Sequence, residues 1–317
     1  MSRHWIRRAL LALASASVLL VAACGSGTIE SQLQPTRIVS FGDAMSDLGQ
    51  TGTRYTVNDS SLSIWTEAVA FGFALPLNNA KAGGASYAQG NVRINAKPDA
   101  AGRSDTPTVK EQIDTFLAGN AFVATDLVIV GAGTSDIIAE TAQLNAATQS
   151  ADQMLADVAQ AGRDLGVQVR RLVKAGAQHV VVVGPYDLGK SPWATSTAQT
   201  ARLSQASGKF NEQLLLSIVD LGANVLYVDA ALQFNLMAAF PTSYELVNAI
   251  EPVCTSIDVG PGIGIGANQI NSAVCSTSTV LAGATYNLYL FADRVYPTPQ
   301  GQRKFGDYAY QRIRARW

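Results

Sequence analysis

Histidine is nearly missing from this chain, with two in 317 residues, His4 and His179. Cysteine is scarce as well, at three, and charged side chains make up only 15%. Each shortage excludes something. Cys24, Cys254 and Cys275 have no histidines near enough in sequence to complete a zinc site, so neither metal nor cofactor is expected. No basic cluster offers the positive surface that nucleic acid requires. The one long apolar run, Ala9 to Ala23, is short for a comfortable membrane span.

What is present begins at the amino end. Arg3, Arg7 and Arg8 precede the apolar run, the layout of a secretory signal peptide over residues 1–23. The run ends Val21-Ala22-Ala23-Cys24, which resembles the lipobox of bacterial lipoproteins and implies a lipidated Cys24. Gly25 after the cysteine points, by likeness to known sorting patterns, to the outer membrane of a Gram-negative cell. Residues 24–35 then read as a polar tether, and 36–317 as one domain large enough for a single core. Residues 24–317 carry 20 basic against 24 acidic side chains, a net charge of −4. With Cys24 lipidated, Cys254 and Cys275 remain as a pair in an oxidising compartment, where a disulfide is expected.

Four nearly continuous apolar runs, Ile38–Phe41, Leu127–Gly131, His179–Gly184 and Val225–Val228, have the character of parallel strands buried on both faces. Amphipathic stripes separate them. Met154, Val158, Ala161, Leu165, Val169 and Leu172 recur at helical spacing, as do Leu203, Phe210, Leu214 and Ile218, and later Phe305, Ala309 and Ile313. This alternation predicts a three-layer α/β/α sandwich around a doubly wound, mainly parallel sheet of five strands. Thr255–Asn287 is poor in charge and rich in Gly, Ser, Thr and Asn, and reads as a long excursion. Its Gly260-Pro-Gly-Ile-Gly-Ile-Gly266 follows no strand and opens no helix, so it fails as a dinucleotide loop.

Phe41-Gly-Asp-Ala-Met-Ser-Asp47 resembles the first block of the GDSL, or SGNH, lipases and esterases, Phe-Gly-Asp-Ser-x-x-Asp. Asn79-Ala-Lys-Ala-Gly-Gly-Ala85 is similar to the second, and Val130-Gly-Ala-Gly-Thr-Ser-Asp-Ile137 to the third, Gly-x-Asn-Asp. Gly184-Pro-Tyr-Asp-Leu-Gly189 and Phe240-Pro-Thr-Ser-Tyr244 with Cys254 resemble the Pro-x-x-Leu-Gly loop and the Asn-Pro-x-x-Tyr region of the phospholipase and haemolysin-like branch. Phe291-Ala-Asp-Arg-Val-Tyr-Pro-Thr298 resembles the last block, Asp-x-x-His-Pro-Thr.

The resemblance assigns roles and shows three departures. Ala44 stands in the nucleophile's place, Ser135 in that of the oxyanion asparagine, and Tyr296 in that of the histidine. Gly83 or Gly84 is expected to offer the oxyanion N–H, and Asp293 to be the triad acid. Ester hydrolysis on this template needs a nucleophile and a base, and the only histidine outside the signal peptide, His179, opens a strand at the opposite end of the sheet. Tyr296 is expected to hydrogen-bond Asp293 and fill the imidazole's space. Asp43, Asp47, Asp136 and Asp293 are expected near one face, mainly holding loops. The implied protein is a catalytically degenerate envelope lipoprotein that binds an acyl, glycan or other envelope ligand, or a partner, in the family's cleft. The alternative is an active esterase with a relocated nucleophile, Ser46 or Ser135.

Overall fold

The valine-rich runs become strands because β-branched side chains fill both faces of a pleated surface without losing rotamer freedom they could use elsewhere. In the computed structural model, which describes residues 33–59 and 64–317, β1 is Arg37–Gly42, β2 Asp126–Gly131, β3 His179–Val183 and β4 Val225–Tyr227. They pair in parallel in the order β1-β2-β3-β4. Every residue of β2 is buried. All four predicted strands are therefore in the sheet. The fifth is reduced to a single parallel bridge, Ser86 to Ser40, on the outer side of β1. The Ser40 N–H donates to the Ala85 carbonyl (3.0 Å) and the Tyr87 N–H to the Ser40 carbonyl (2.7 Å). Glycines at 83, 84 and 90 flank this strip, and turn-forming glycine shortens a strand. The chain thus visits one side of β1 and then the other, which is the double winding expected.

Helices cover both faces. They are α1 (Trp65–Gly72), α2 (Val109–Gly119), α3 (Thr134–Asn145), α4 (Ala151–Lys174), α5 (Pro192–Ser196), α6 (Thr200–Ile218), α7 (Ala230–Ala239) and α8 (Pro299–Arg316). One layer holds α2, α3, α4 and α6, the other α1, α7 and α8. The predicted apolar stripes of α4, α6 and α8 are all buried. Gly162 lets α4 and α6 approach closely, since a Cβ there would stand 2.4 Å from the Phe210 carbonyl oxygen.

Beyond α7 the regular alternation stops. β5 (Asn248–Pro252) pairs in parallel with β8 (Tyr289–Phe291), and β6 (Ile257–Asp258) with β7 (Gln269–Ile270) as a small antiparallel hairpin. The Cys254–Cys275 disulfide forms, with Cα atoms 5.9 Å apart, and staples this excursion. Leu33 is already buried and donates its N–H to the Trp317 carbonyl at 3.0 Å, so the ordered unit starts before residue 36. The expected signal peptide, Cys24 and most of the tether lie outside the described residues.

Candidate functional site

In an open parallel sheet, loops at the carboxyl ends of the strands converge. Gly42 ends β1 with φ +148°, and a Cβ there would lie 2.0 Å from the Gly131 carbonyl oxygen, so only glycine fits. That contact throws Asp43 across the end of β2. Its N–H donates to the Gly131 carbonyl (3.0 Å), and its Oδ2 accepts from the amides of Gly133 and Thr134, both at 3.1 Å. Asp47 does the same for the next turn, with Oδ1 accepting from Gly49 and Gln50 and Oδ2 from Gly90, all at 2.8 Å. The two carboxylates hold loops together, and burial raises both to about 6 against these donors.

Between them stands Ala44, 2% exposed, in a short 3₁₀ turn. Ser46 is fully buried, and its Oγ accepts the Trp65 indole N–H at 3.2 Å. This hydroxyl is buried and engaged with a core tryptophan.

Ser135 sits in the first turn of α3, wholly buried. Its neighbour Asp136 accepts from the Ile94 amide and faces Arg93, which also pairs with Glu140. Burial raises Asp136 to about 7, with Arg93 opposing and Asp43 adding to the rise. Asp293 takes the amides of Val295 (2.7 Å) and Tyr296 (2.6 Å) on Oδ1 and that of Ser272 (3.0 Å) on Oδ2. Asp43, Asp47, Asp136 and Asp293 therefore each serve their own donors, and among the described residues no three of the metal-binding type group together.

Tyr296 corrects an expectation. Its backbone N–H, not its phenol, meets Asp293. The ring turns instead against Tyr55, edge to face with centroids 5.4 Å apart. Its hydroxyl lies near Ser135, yet neither hydroxyl completes a hydrogen bond among the described residues. Burial, then the charges of Asp43 and Asp293, hold the phenol well above its usual range. A phenol so placed is no base at neutral pH.

The second block is corrected too. Gly83 and Gly84 lie beside the amino half of β1, and their amides close a turn on the Ala80 and Asn79 carbonyls, both at 3.0 Å. Residues 88–90 reach the carboxyl end instead. The Gln89 N–H donates to Gly42 (3.1 Å), and Gly90 lies under the Tyr55 ring, where a Cβ would stand 1.9 Å from it. The Tyr87-Ala-Gln-Gly90 stretch held this signal, and register with β1 was needed to find it.

The excursion encloses part of this end. Its Gly260–Gly266 loop lies across the block ends. The Gly262 carbonyl accepts from Asn91 (3.1 Å), and Ile263 is buried. Gly264 presses on Ala100 and Ile138, and a Cβ there would lie 2.3 Å from the Ala100 carbonyl oxygen. Tyr55 and Tyr296 pack on each other beside this strap, and what stays open at the strand ends is a small pocket lined by Asp43, Ser46, Trp65, Gly131 and Thr134. Tyr186, in the fourth block, joins the last one through its hydroxyl to the Val295 carbonyl at 2.6 Å. His179 stays at the far end of the sheet against Trp317, centroids 5.0 Å apart.

Fold and block positions define a three-layer α/β/α sandwich in which the first, third, fourth and last blocks meet at the carboxyl ends of its strands. The chain belongs to the GDSL-like lipase/acylhydrolase family, whose profile matches residues 38–309. It is 29% identical over 162 residues to an uncharacterised protein of the trpE-trpG intergenic region of Pseudomonas putida, covering 51% of this chain and 26% of that one. It is 30% identical over 142 residues to Esterase EstA of Pseudomonas aeruginosa (44% and 20%). It is 26% identical over 196 residues to a phosphatidylcholine-sterol acyltransferase of Aeromonas hydrophila (58% and 54%). The chain spans between a fifth and about half the length of these relatives. A solved aryl esterase of M. smegmatis aligns with a TM-score of 0.44 at 15% identity, over 89% of this chain and 99% of that one.

Proposed function

We propose that this chain is a non-hydrolysing member of its family, an envelope lipoprotein that acts by binding a ligand or partner. The observation that carries this reading is the trio Ala44, Ser135 and Tyr296, all buried, at the positions where the family's chemistry requires a serine, an asparagine and a histidine. A methyl cannot attack a carbonyl, and the phenol is held protonated. What remains, backbone donors and Asp293, supplies only the small residual catalysis of a site without its triad. The small size of the pocket left beside the strap argues against a ligand in the family's cleft and favours recognition by another surface. The lipobox-like Val21–Cys24 supports an anchor in the outer membrane, and no helix among the described residues is long and apolar enough to cross a membrane.

The test is labelling with a fluorophosphonate probe alongside turnover of short p-nitrophenyl esters. The native chain should remain unlabelled and turn over no more ester than a sham preparation. Labelling of the native chain that disappears in Ser46→Ala or Ser135→Ala would establish the active-esterase alternative. The triple variant Ala44→Ser/Ser135→Asn/Tyr296→His supplies the control, because a gain of labelling there locates the loss in these three positions.

A further inference from the structure

The amino ends of the strands form a second face with the opposite character. The segments entering the strands and the last turns of the helices meet there. Thr36 and Thr125 share a hydroxyl hydrogen bond of 2.7 Å, Arg37 reaches the Ala121 carbonyl (2.9 Å), and Asn224 donates to the Gln178 carbonyl (3.2 Å). Arg316 reaches the Gly222 carbonyl, and Trp317 lies against His179.

Asp114, Asp126 and Asp220 on this face are each held by an arginine, namely Arg171, Arg37 and Arg170, and Asp114 by Lys110 as well. Lys174, Arg312, Arg314 and Arg316 are left exposed, with no carboxylate partner among the described residues. This excess is local, because residues 24–317 are net negative. Two apolar side chains project beside it, Val219 at 76% exposure and Val123 at 52%. The first described residue, Leu33, is also here.

We propose that this face rests on an anionic phospholipid bilayer and points the strapped carboxyl ends away from it. The inference rests on the lipid-anchor reading of Cys24. Nine residues from Cys24 to Leu33 reach at most about 30 Å when extended. A domain of this length is about 50 Å across by its expected radius of gyration. The tether therefore cannot pass around the domain, and the face bearing Leu33 is the one held at the lipid. Basic side chains without a carboxylate partner, within a Debye length of an anionic surface, are attracted to it, and projecting valines enter the headgroup layer.

The experiment uses the full lipidated chain in vesicles of phosphatidylethanolamine and phosphatidylglycerol, with a fluorophore on Val123→Cys, Val219→Cys or Val259→Cys in separate preparations. Quenching by spin-labelled lipid should be several-fold stronger at 123 and 219 than at 259 on the excursion. Lys174→Glu/Arg314→Glu/Arg316→Glu should reduce that difference at least twofold. Equal quenching at the three positions, or the strongest at 259, overturns the proposal. Metabolic labelling with an alkyne fatty acid, compared with Cys24→Ser, tests the anchor separately. If the anchor fails, the lipid-free chain must still sediment with phosphatidylglycerol vesicles about tenfold better than with phosphatidylcholine vesicles, and binding to neither overturns the face as well. Binding to an acidic protein without binding to anionic vesicles also overturns it.

Discussion

The two ends of the same parallel sheet have been put to opposite uses. At the carboxyl ends, four aspartates, two tyrosines and a glycine-rich strap are closed in on one another. At the amino ends, arginines hold Asp114, Asp126 and Asp220, and basic side chains stand open to solvent. In this fold the carboxyl ends are the usual site of chemistry. Here Ala44, Ser46, Ser135, Asp293 and Tyr296 at that end are all buried, while Lys174, Arg312, Arg314 and Arg316 at the other are exposed. Family resemblance therefore identifies the region where a reaction would occur, while burial decides whether anything can reach it.

The comparison can be broken by substitution, since enclosed residues should cost stability and open ones should not. Tyr296→Ala should be the most damaging, destabilising by about 3–5 kcal/mol in urea titration, because a fully buried ring leaves a cavity. A merely lining tyrosine would cost far less. Cys254→Ser with Cys275→Ser should lower stability by about 3 kcal/mol through loop entropy. It should also speed hydrogen exchange at Ser272, the residue pinned to Asp293. Ser46→Ala should cost about 1–3 kcal/mol by orphaning the Trp65 indole N–H, with no loss of any esterase signal.

The pH dependence has a definite sign. Burial raises folded Asp43 and Asp47 to about 6 and Asp136 to about 7, above the unfolded value of about 3.9. Over that window the folded state keeps protons the unfolded state has released, so their contribution falls as pH rises. The thermal midpoint should be higher at about pH 5 than at about pH 7.5, and Asp136→Asn should flatten the difference. At the other end, Lys174→Ala and Arg314→Ala should leave the midpoint within error. A large loss from either would show that the amino-end face is part of the structure and not free surface.

Much of this was legible in the sequence. The strands at 38, 127, 179 and 225 and the stripes of α4, α6 and α8 are one-dimensional signals, because a two-sided strand and an amphipathic helix each have a local period. The departures at 44, 135 and 296 needed only a residue read against a motif. What failed needed distance. Gly84 and Gly90 both lie at bends or turns, and only register with β1 tells which reaches the carboxyl end. Whether Tyr296 meets Asp293 by its phenol or its amide depends on Tyr55, far away in sequence. The role of Gly260–Gly266 was invisible, because a loop's destination is set by what its glycines lie against.

Gly42 has a wider bearing. Any chain that brings β1 this close to Gly131 must have glycine there, and an aspartate after it that can tie down the next loop, whether or not a serine follows. A profile built on such positions scores architecture that an inert relative still has to keep. The residues that hold these loops and those that carry the family's reaction are different side chains within the same blocks, so a profile can score the first without the second.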